Sequence, residues 1–380
     1  MSAPNRINSA WIADQLPYKP GYFPALKTLL LVILLLLARQ SAAVEVNGLY
    51  DAELPVSGSG AAERNALARQ GLAEVLVRVS GSRKILANER IEQALARSDT
   101  FLRQFSYVTN SGSTERPEEQ QLLQLYFDAT LIDGLLRRAK LPLWGKNRPV
   151  VLVWLTIDDG QSRHIISAGD DNELKTAVIE HAKRRGVPLL FPLMDLHDEA
   201  ALPVVEAWGM FKESLLQASA RYQPKAILAG RVYRNGDLQW TGRWQFLFND
   251  EMSGLNVTAA DVDSFPESAI DFSADLLADF YAVMTARLYD TRISLQVDCV
   301  DSVTDYAQVT EYLQNLAAVV DVTVAGVDGG GLLLTLTTEG EVQKMVEAIA
   351  LDHKLVPQQS HTTSPANPDA ITLFYRWNKP

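Results

Sequence analysis

The strictest alternation of apolar and polar residues lies in Lys225–Asn249, and it predicts a β-hairpin. Two strand-like runs flank Asn235-Gly236, the dipeptide that most readily adopts a type I′ turn. On the return strand the large apolar residues share one parity, which predicts one face on a core and one face towards water or a partner. The residues of that apolar parity are Leu238, Trp240, Trp244, Phe246 and Phe248.

A two-residue turn fixes the register that we expect across this hairpin. It places Tyr233 opposite Leu238 and Arg231 opposite Trp240, which would allow a cation–π contact. Aromatic residues at strand spacing usually belong to a core, and a binding platform is the alternative. The candidate interaction surface on this hairpin comprises Arg231, Tyr233, Trp240, Arg243 and Trp244.

An apolar run near the N-terminus predicts export. Thr28–Ala38 is uninterrupted and apolar, and Ser41 and Ala43 fit the small-residue pattern of a signal-peptidase site. The run is shorter than the roughly 20 residues that span a bilayer. We therefore expect a cleaved signal peptide over residues 1–43 and a periplasmic protein. The alternative is an uncleaved anchor in the inner membrane, with the body facing the periplasm and this segment as its only membrane contact.

The remaining pattern predicts an α+β or α/β fold with three small mixed domains. Residues 44–145 form an N-terminal α+β domain around the amphipathic helix Ala61–Val79. Residues 146–290 form a central α/β domain of order β-α-β-α-β-β-β-α, which contains the hairpin. Residues 291–380 follow a β-α-β-β-α order that suggests a ferredoxin-like domain, with a loose segment at 360–369.

Charge and cysteine content exclude some functions. The formal net charge of the 380 residues is −11, which disfavours nucleic acid as a partner because such binding depends on neutralising phosphates. Cys299 is the single cysteine, so no internal disulfide can form, and its strand-like surroundings predict a buried thiol.

Catalytic signatures are weak along the whole chain. The five histidines are scattered, and neither a phosphate-binding loop nor a nucleophile elbow is present. Asp158 and Asp159 precede Gly160, which is typical of a turn. We predict no catalytic residue, no metal site and no cofactor. The densest ligand-type cluster comprises Asp195, His197, Asp198 and Glu199, which as adjacent charges are typical of a solvated loop or helix start.

An ordered set of motifs resembles an exported gammaproteobacterial family, domain of unknown function 2066. That resemblance extends from about Val44 to about Gln358 and implies no established activity. The central element order is also similar to small domains of envelope assembly factors, such as the N-terminal domain of TolB, and the first helix is similar to one in the flagellar protein FlgT. The motifs are VEVNGLYDAELPV (Val44–Val56), VLVRVSG (Val75–Gly81), PLLFPLMDL (Pro188–Leu196), WGMF (Trp208–Phe211) and the hairpin up to Trp244.

Three functional hypotheses follow. The first is a non-enzymatic interaction or assembly factor with envelope proteins as partners, and its oligomeric state is left open. The second is a periplasmic module that binds a small ligand or a glycan, with Trp208, Tyr233 and Trp240 as stacking surfaces. The third is a hydrolase that uses Asp158, Asp159 or the Asp195–Glu199 cluster, which requires two carboxylates to converge in one cleft.

Overall fold

The amphipathic helix predicted near the N-terminus is the centre of a first α+β layer. In the computed structural model it begins at Ala61 and ends before Gly81, whose φ of 76° closes the last turn. Its apolar side packs on a three-stranded antiparallel sheet of order β2-β4-β3. The elements are β1 (Val44–Glu45), β2 (Asp51–Pro55), α1 (Ala61–Ser80), α2 (Glu89–Leu95), β3 (Leu102–Asn110), β4 (Gln120–Phe127) and α3 (Ala129–Ala139).

The structure describes residues 44–56, 58, 60–110, 120–234, 239–284, 291–328, 330–358 and 371–379. Several sequence predictions lie outside these ranges: the signal segment 1–43, the Asn235-Gly236 turn and the loose segment 360–369. Within the described part of the chain, no helix has both the length and the apolar character needed to cross a membrane.

The central sheet combines two parallel pairings, of β7 with β10 and with β9, and three antiparallel ones. Its order is β12-β11-β10-β7-β8, with β9 also on β7, and β10 runs parallel to β7. The strands are β7 (Val151–Asp158), β8 (Arg163–Ile165), β9 (Leu189–Leu190), β10 (Ala226–Arg234), β11 (Trp240–Phe248) and β12 (Glu251–Ala259). Strand β7 is buried along nearly its whole length, as its continuous apolar sequence predicts.

Helices cover both faces of the central sheet. On one face lie α4 (Glu173–Arg185) and α8 (Glu267–Tyr281). On the other lie α5 (Leu196–Ala201), α6 (Val204–Gly209) and α7 (Lys212–Ser219), whose apolar residues pack on β7 and β10. The sequence predicts one helix over Trp208–Tyr222, but the chain turns at Met210, whose φ is 51°. That turn separates α6 from α7 and leaves Trp208 half-buried at the end of α6.

The third sheet is a modified ferredoxin-like unit. Strands β14 (Thr291–Asp298), β15 (Val319–Asp328) and β16 (Gly331–Thr338) form the split β-α-β core with α9 (Val303–Gln314). After α10 (Val342–Ile349), β17 (Leu355–Pro357) lies at the outer edge, because β18 (Thr372–Trp377) occupies the place beside β14. The terminal strand β18 runs parallel to β14 and pairs on its other side with β17.

Short bridges connect the three layers. Strand β6 (Asn147–Arg148) pairs with β1, and β5 (Pro142–Leu143) pairs with β13 (Val283–Met284). The fold is mixed α and β, as predicted. The division into three domains stays a prediction, and residues 42–380 form one compact unit with several hydrophobic clusters.

Three buried arginines join α1 to the central sheet: Arg78, Arg148 and Arg185. Arg148 is fully buried and stacks on the Trp144 ring, with its guanidinium carbon 3.9 Å from the ring centroid. Burial lowers the pKa of its guanidinium. Its nitrogens donate to the carbonyl oxygens of Gly145, Arg185, Gly186, Arg78 and Trp144 at 2.8–3.0 Å.

Arg78 extends this network to the entry strand. It donates to the carbonyl oxygens of Asp51 at 2.6 Å, Gly48 at 3.0 Å and Arg184 at 2.9 Å. Gly186 ends α4 with a φ of 66°, and a Cβ there would lie 2.6 Å from Nη1 of Arg148. The network therefore requires glycine at this position both for the left-handed backbone and for the space beside the guanidinium.

Candidate functional site

The hairpin of β10 and β11 forms, but its register differs from the predicted one. Arg234 lies opposite Trp240, Tyr233 opposite Thr241 and Arg231 opposite Arg243. The connection therefore spans residues 235–239 instead of two residues. The difference is an odd number of residues, and an odd slip exchanges the two faces of a strand relative to its neighbour. The predicted pairings of Tyr233 with Leu238 and Arg231 with Trp240 are wrong.

The corrected register separates the five predicted surface residues onto two faces. Trp244 is 0% exposed and packs with Phe265 in the core beneath α8, and Trp240 is half-buried on the same side. The predicted cation–π contact to Trp240 comes from Arg234, at 5.4 Å, because Arg234 and not Arg231 is its neighbour. Trp244 is therefore a core residue, in agreement with the core interpretation of the aromatic parity.

Arg231, Tyr233 and Arg243 lie on the opposite face of the sheet, beyond the part that α5 to α7 cover; Arg231 is half-buried, and Tyr233 and Arg243 are exposed. Trp208, at the end of α6, lies beside them, with its ring centroid 6.5 Å from that of Tyr233. The Arg163 guanidinium lies 4.4 Å from the Trp208 ring centroid, and that of Arg231 lies 6.0 Å from it. We call these five residues, Arg163, Trp208, Arg231, Tyr233 and Arg243, the Arg/aromatic face.

Two like charges oppose each other directly on this face. Arg231 and Arg243 are cross-strand neighbours, an arrangement that is unfavourable unless an anion lies between them. Arg243 is exposed and has no ion pair among the described residues. Arg163 is neutralised by Asp158, at 2.7 Å, and this hydrogen bond lowers the pKa of the Asp158 carboxyl. The unneutralised charge of the face therefore resides in Arg231 and Arg243.

The Arg/aromatic face ends at a regular edge strand. Strand β12 pairs with β11 without any register shift along its nine residues and has no second strand neighbour in the described part of the chain. Asn249 and Asp250 join the two strands, with φ values of 50° and 63°. Two positive φ values in a two-residue connection are those of a type I′ turn.

Two other long edge strands differ from β12. Strand β3 has an irregularity between Leu102 and Gln104, and β15 has register shifts near Val319 and Val324. Irregularities of this kind twist an edge and hinder the addition of another strand. Strand β12 carries neither a bulge nor a proline, and Glu251 is its only charged residue. Among these three edges, β12 is the one best shaped to accept a further strand.

The acidic cluster after β9 forms a helix cap. Asp195 accepts from the backbone nitrogens of His197 and Asp198, and it pairs with Arg221 at 2.7 Å. Asp198 is fully buried and accepts from the Tyr222 hydroxyl at 2.5 Å and from Arg221 at 3.0 Å. These contacts account for the cluster as a local scaffold. No group of three potential metal ligands occurs within the described ranges.

The other predicted carboxylates are also held by local contacts. Asp159 accepts from the backbone nitrogens of Gln161 and Ser162, each at 2.8 Å, which fixes the turn after β7.

The rings named for ligand stacking do not share a pocket, because Trp240 lies on the face opposite Trp208 and Tyr233. Cys299 is exposed at a φ of 64°, so the prediction of a buried thiol is wrong: β14 ends just before it.

Asp195→Asn should reduce the dependence of the free energy of unfolding on pH at acidic pH. The hydrogen bond from Arg221, followed by the backbone donor of Asp198, lowers the pKa of Asp195 from 3.8 to about 2. The folded state therefore binds fewer protons than the unfolded state, and this stabilisation is present above about pH 4 and lost as the pH falls towards 2. Urea unfolding across that window tests the prediction.

Asp171→Asn provides the control, because Asp171 is exposed and makes no side-chain hydrogen bond among the described residues. We expect it to keep the wild-type pH dependence. If Asp195→Asn also keeps the wild-type dependence, the Arg221 contact does not hold the carboxylate in solution.

Comparisons with known proteins identify one similar family. A family described as a domain of unknown function (DUF8605) matches residues 43–145, which contain the first sheet and α1 to α3. It differs from domain of unknown function 2066, so the predicted family is wrong, and nothing supports the likeness to TolB. No curated protein matches the chain. The matched segment does not include the Arg/aromatic face or β12.

Sequence reasoning identified part of this site. Three of the five predicted residues, Arg231, Tyr233 and Arg243, are brought together, and Trp208 was named for a different role. Arg163 was missed, because a single arginine in the short strand β8 carries no pattern that links it to Trp208. The β12 edge, unpaired among the described strands, was also missed, since strand order cannot be read from one sequence.

Proposed function

We propose that this protein is an exported, non-enzymatic interaction factor that binds an extended acidic segment of a partner protein at β12. The observation that carries the proposal is the regular edge of β12, which no strand of the described residues pairs, beside the opposed pair Arg231 and Arg243. The export prediction from residues 1–43 supports a periplasmic location and an envelope protein as the partner.

The geometry of β12 supports binding by strand addition. In this mode the backbone of an added strand supplies affinity, and alternate side chains supply specificity. On β12 one parity packs towards α8, while the other parity, Met252, Gly254, Asn256 and Thr258, is exposed. An added strand would therefore extend the covered core face on one side and meet the Arg/aromatic face on the other.

Charge supports an acidic partner. The whole chain has a net charge of −11, so a local excess of arginine contrasts with its surroundings. Arg243 lies opposite Asn256, which places it one strand away from an added segment. Glutamate or aspartate on that segment would relieve the repulsion between Arg231 and Arg243, whereas basic residues would increase it.

In-cell photo-crosslinking tests this proposal. A photoreactive amino acid at Asn256 in the full chain should give crosslinks that map, by mass spectrometry, to an acidic extended segment of an envelope protein. Arg231→Gln with Arg243→Gln should reduce these crosslinks at least about tenfold, because charge complementarity orients the partner. Amide hydrogen exchange in β12 should slow when the identified segment is added as a peptide.

The matched control is Arg69→Gln with Arg103→Gln, which removes the same charge from exposed arginines near the first sheet. We expect this variant to crosslink like the wild type. The proposal is overturned if the mapped segment is not acidic, if both double variants behave alike, or if no crosslink forms from Asn256.

A further inference from the structure

A polar cleft lies between the third sheet and the bridge at β6, away from the Arg/aromatic face. Its volume is about 400 Å³, within the range of small-molecule sites. Helix α9 forms one wall, the loop after α10 forms another, and the residues after β18 close one end. Tyr312 and Trp377 lie in the wall, with ring centroids 6.4 Å apart, and both are more than nine-tenths buried.

Several polar groups of the cleft are already engaged in the fold. Asp352 accepts from the Tyr312 hydroxyl at 3.0 Å, the Asn147 side chain at 3.1 Å and the Lys354 backbone at 3.1 Å. Burial raises the pKa of its carboxyl. Lys379 pairs with Asp301 at 2.9 Å and Asp305 at 3.1 Å. These groups shape the cleft and are not available to a ligand.

Three charged groups of the cleft remain available. Glu311 is exposed on α9, and its carboxylate has no hydrogen bond or ion pair among the described residues. The ammonium groups of Lys146 and Lys354 form no ion pair there, although each lies near enough to a carboxylate to feel its charge, Lys146 to Asp133 and Lys354 to Asp352. The ammonium of Lys354 lies 5.2 Å from the Tyr312 ring centroid. No ion pair joins Glu311 to either lysine. The cleft therefore presents a carboxylate and two ammonium groups that do not neutralise each other.

The neutral lining supports a polar ligand as well. Gln308 and Asn315 add amide groups from α9, which can both donate and accept. The indole Nε1 of Trp377 is buried without a hydrogen-bond partner. The two rings are too deeply buried to offer a stacking platform, and this argues against a glycan, whose sugar rings need an exposed aromatic face.

We propose that this cleft binds a small zwitterion of the amino-acid or short-peptide class. The ammonium of the ligand would pair with Glu311, and its carboxylate would pair with Lys146 and Lys354. The amides of Gln308 and Asn315 would meet the polar groups between the two ends. This site is independent of strand addition at β12, so either can fail without the other.

Calorimetric titration of the full chain with L-alanyl-L-alanine tests the site. We expect saturable binding, and we expect it to weaken about tenfold, or by about 1.4 kcal/mol, when either charge of the ligand is removed. N-acetyl-L-alanyl-L-alanine lacks the ammonium, and L-alanyl-L-alaninamide lacks the carboxylate.

Substitutions in the cleft then test which side chain pairs with each charged end of the ligand. Glu311→Gln should bind the dipeptide and its N-acetyl form equally, and Lys146→Gln with Lys354→Gln should bind the dipeptide and its amide equally. Glu92→Gln and Lys225→Gln are matched exposed controls outside the cleft and should bind like the wild type. The proposal is overturned by an absence of saturable binding, by N-acetyl dipeptide binding as tightly as the dipeptide, or by unchanged binding in the cleft variants.

Discussion

Arg148→Met is expected to lower the free energy of unfolding by about 3–5 kcal/mol. The substitution keeps an unbranched side chain of similar length but leaves five carbonyl oxygens without the donor that they have in the native fold. Hydrogen bonds from a charged group contribute more than neutral ones. The expected loss of unfolding free energy is smaller than the sum of five such hydrogen bonds. The reason is that the substitution also removes a buried cation, and with it the cost of burying that charge.

Urea denaturation followed by circular dichroism measures this effect. Arg184→Met is the matched control, because Arg184 is the neighbour of the buried Arg185 but is itself exposed. We expect that control to change stability by less than about 0.5 kcal/mol. Arg148→Lys should be nearly as unstable as Arg148→Met, since one ammonium cannot replace a planar guanidinium that reaches several acceptors. Equal stability of Arg148→Met and the control would contradict a structural role for the network.

Trp244→Ala is expected to destabilise the protein by about 3–5 kcal/mol, the usual cost of removing a buried large aromatic side chain. Trp244 is 0% exposed, and its ring centroid lies 5.8 Å from that of Phe265. The loss arises in the core, so binding at the Arg/aromatic face should persist under conditions where the variant is folded. Thermal unfolding, combined with crosslinking from Asn256, separates these two effects.

Trp240→Ala is the natural comparison, since Trp240 shares the same face but is only half-buried. We expect a smaller loss of stability there. A folded Trp244→Ala variant of wild-type stability that no longer engages the partner would return Trp244 to the interaction surface and refute its assignment to the core.

The sequence predicted individual helices and strands well where a local signal, such as apolar spacing or a terminal glycine, sets the element. Helix α1 follows from its apolar spacing and the glycine at its end, and β7 follows from its continuous apolar run. The helix over Glu173–Arg185 begins after Asn172, which caps its first turn, and stops at Gly186, as its sequence indicates. These signals act over a few residues and need no knowledge of the rest of the fold.

Relations between elements were harder to predict. The hairpin register failed because Asn235-Gly236 suggested a two-residue turn, whereas residues 235–239 join the strands. That difference alone moved Trp240 away from Arg231. The cleft at Glu311 and the edge of β12 depend on which strands become neighbours, and a single sequence carries no direct record of this.

The buried arginine network has a consequence for how the chain can be divided. The family match stops at residue 145, yet the backbone carbonyls of Arg78 and Trp144 within it are satisfied by Arg148, just beyond that boundary. Arg185, still further along, donates to Gly81. The segment that the family matches is thus shorter than the set of residues that completes its hydrogen bonding. A fragment cut at the family boundary would expose acceptors that the native chain never presents to water.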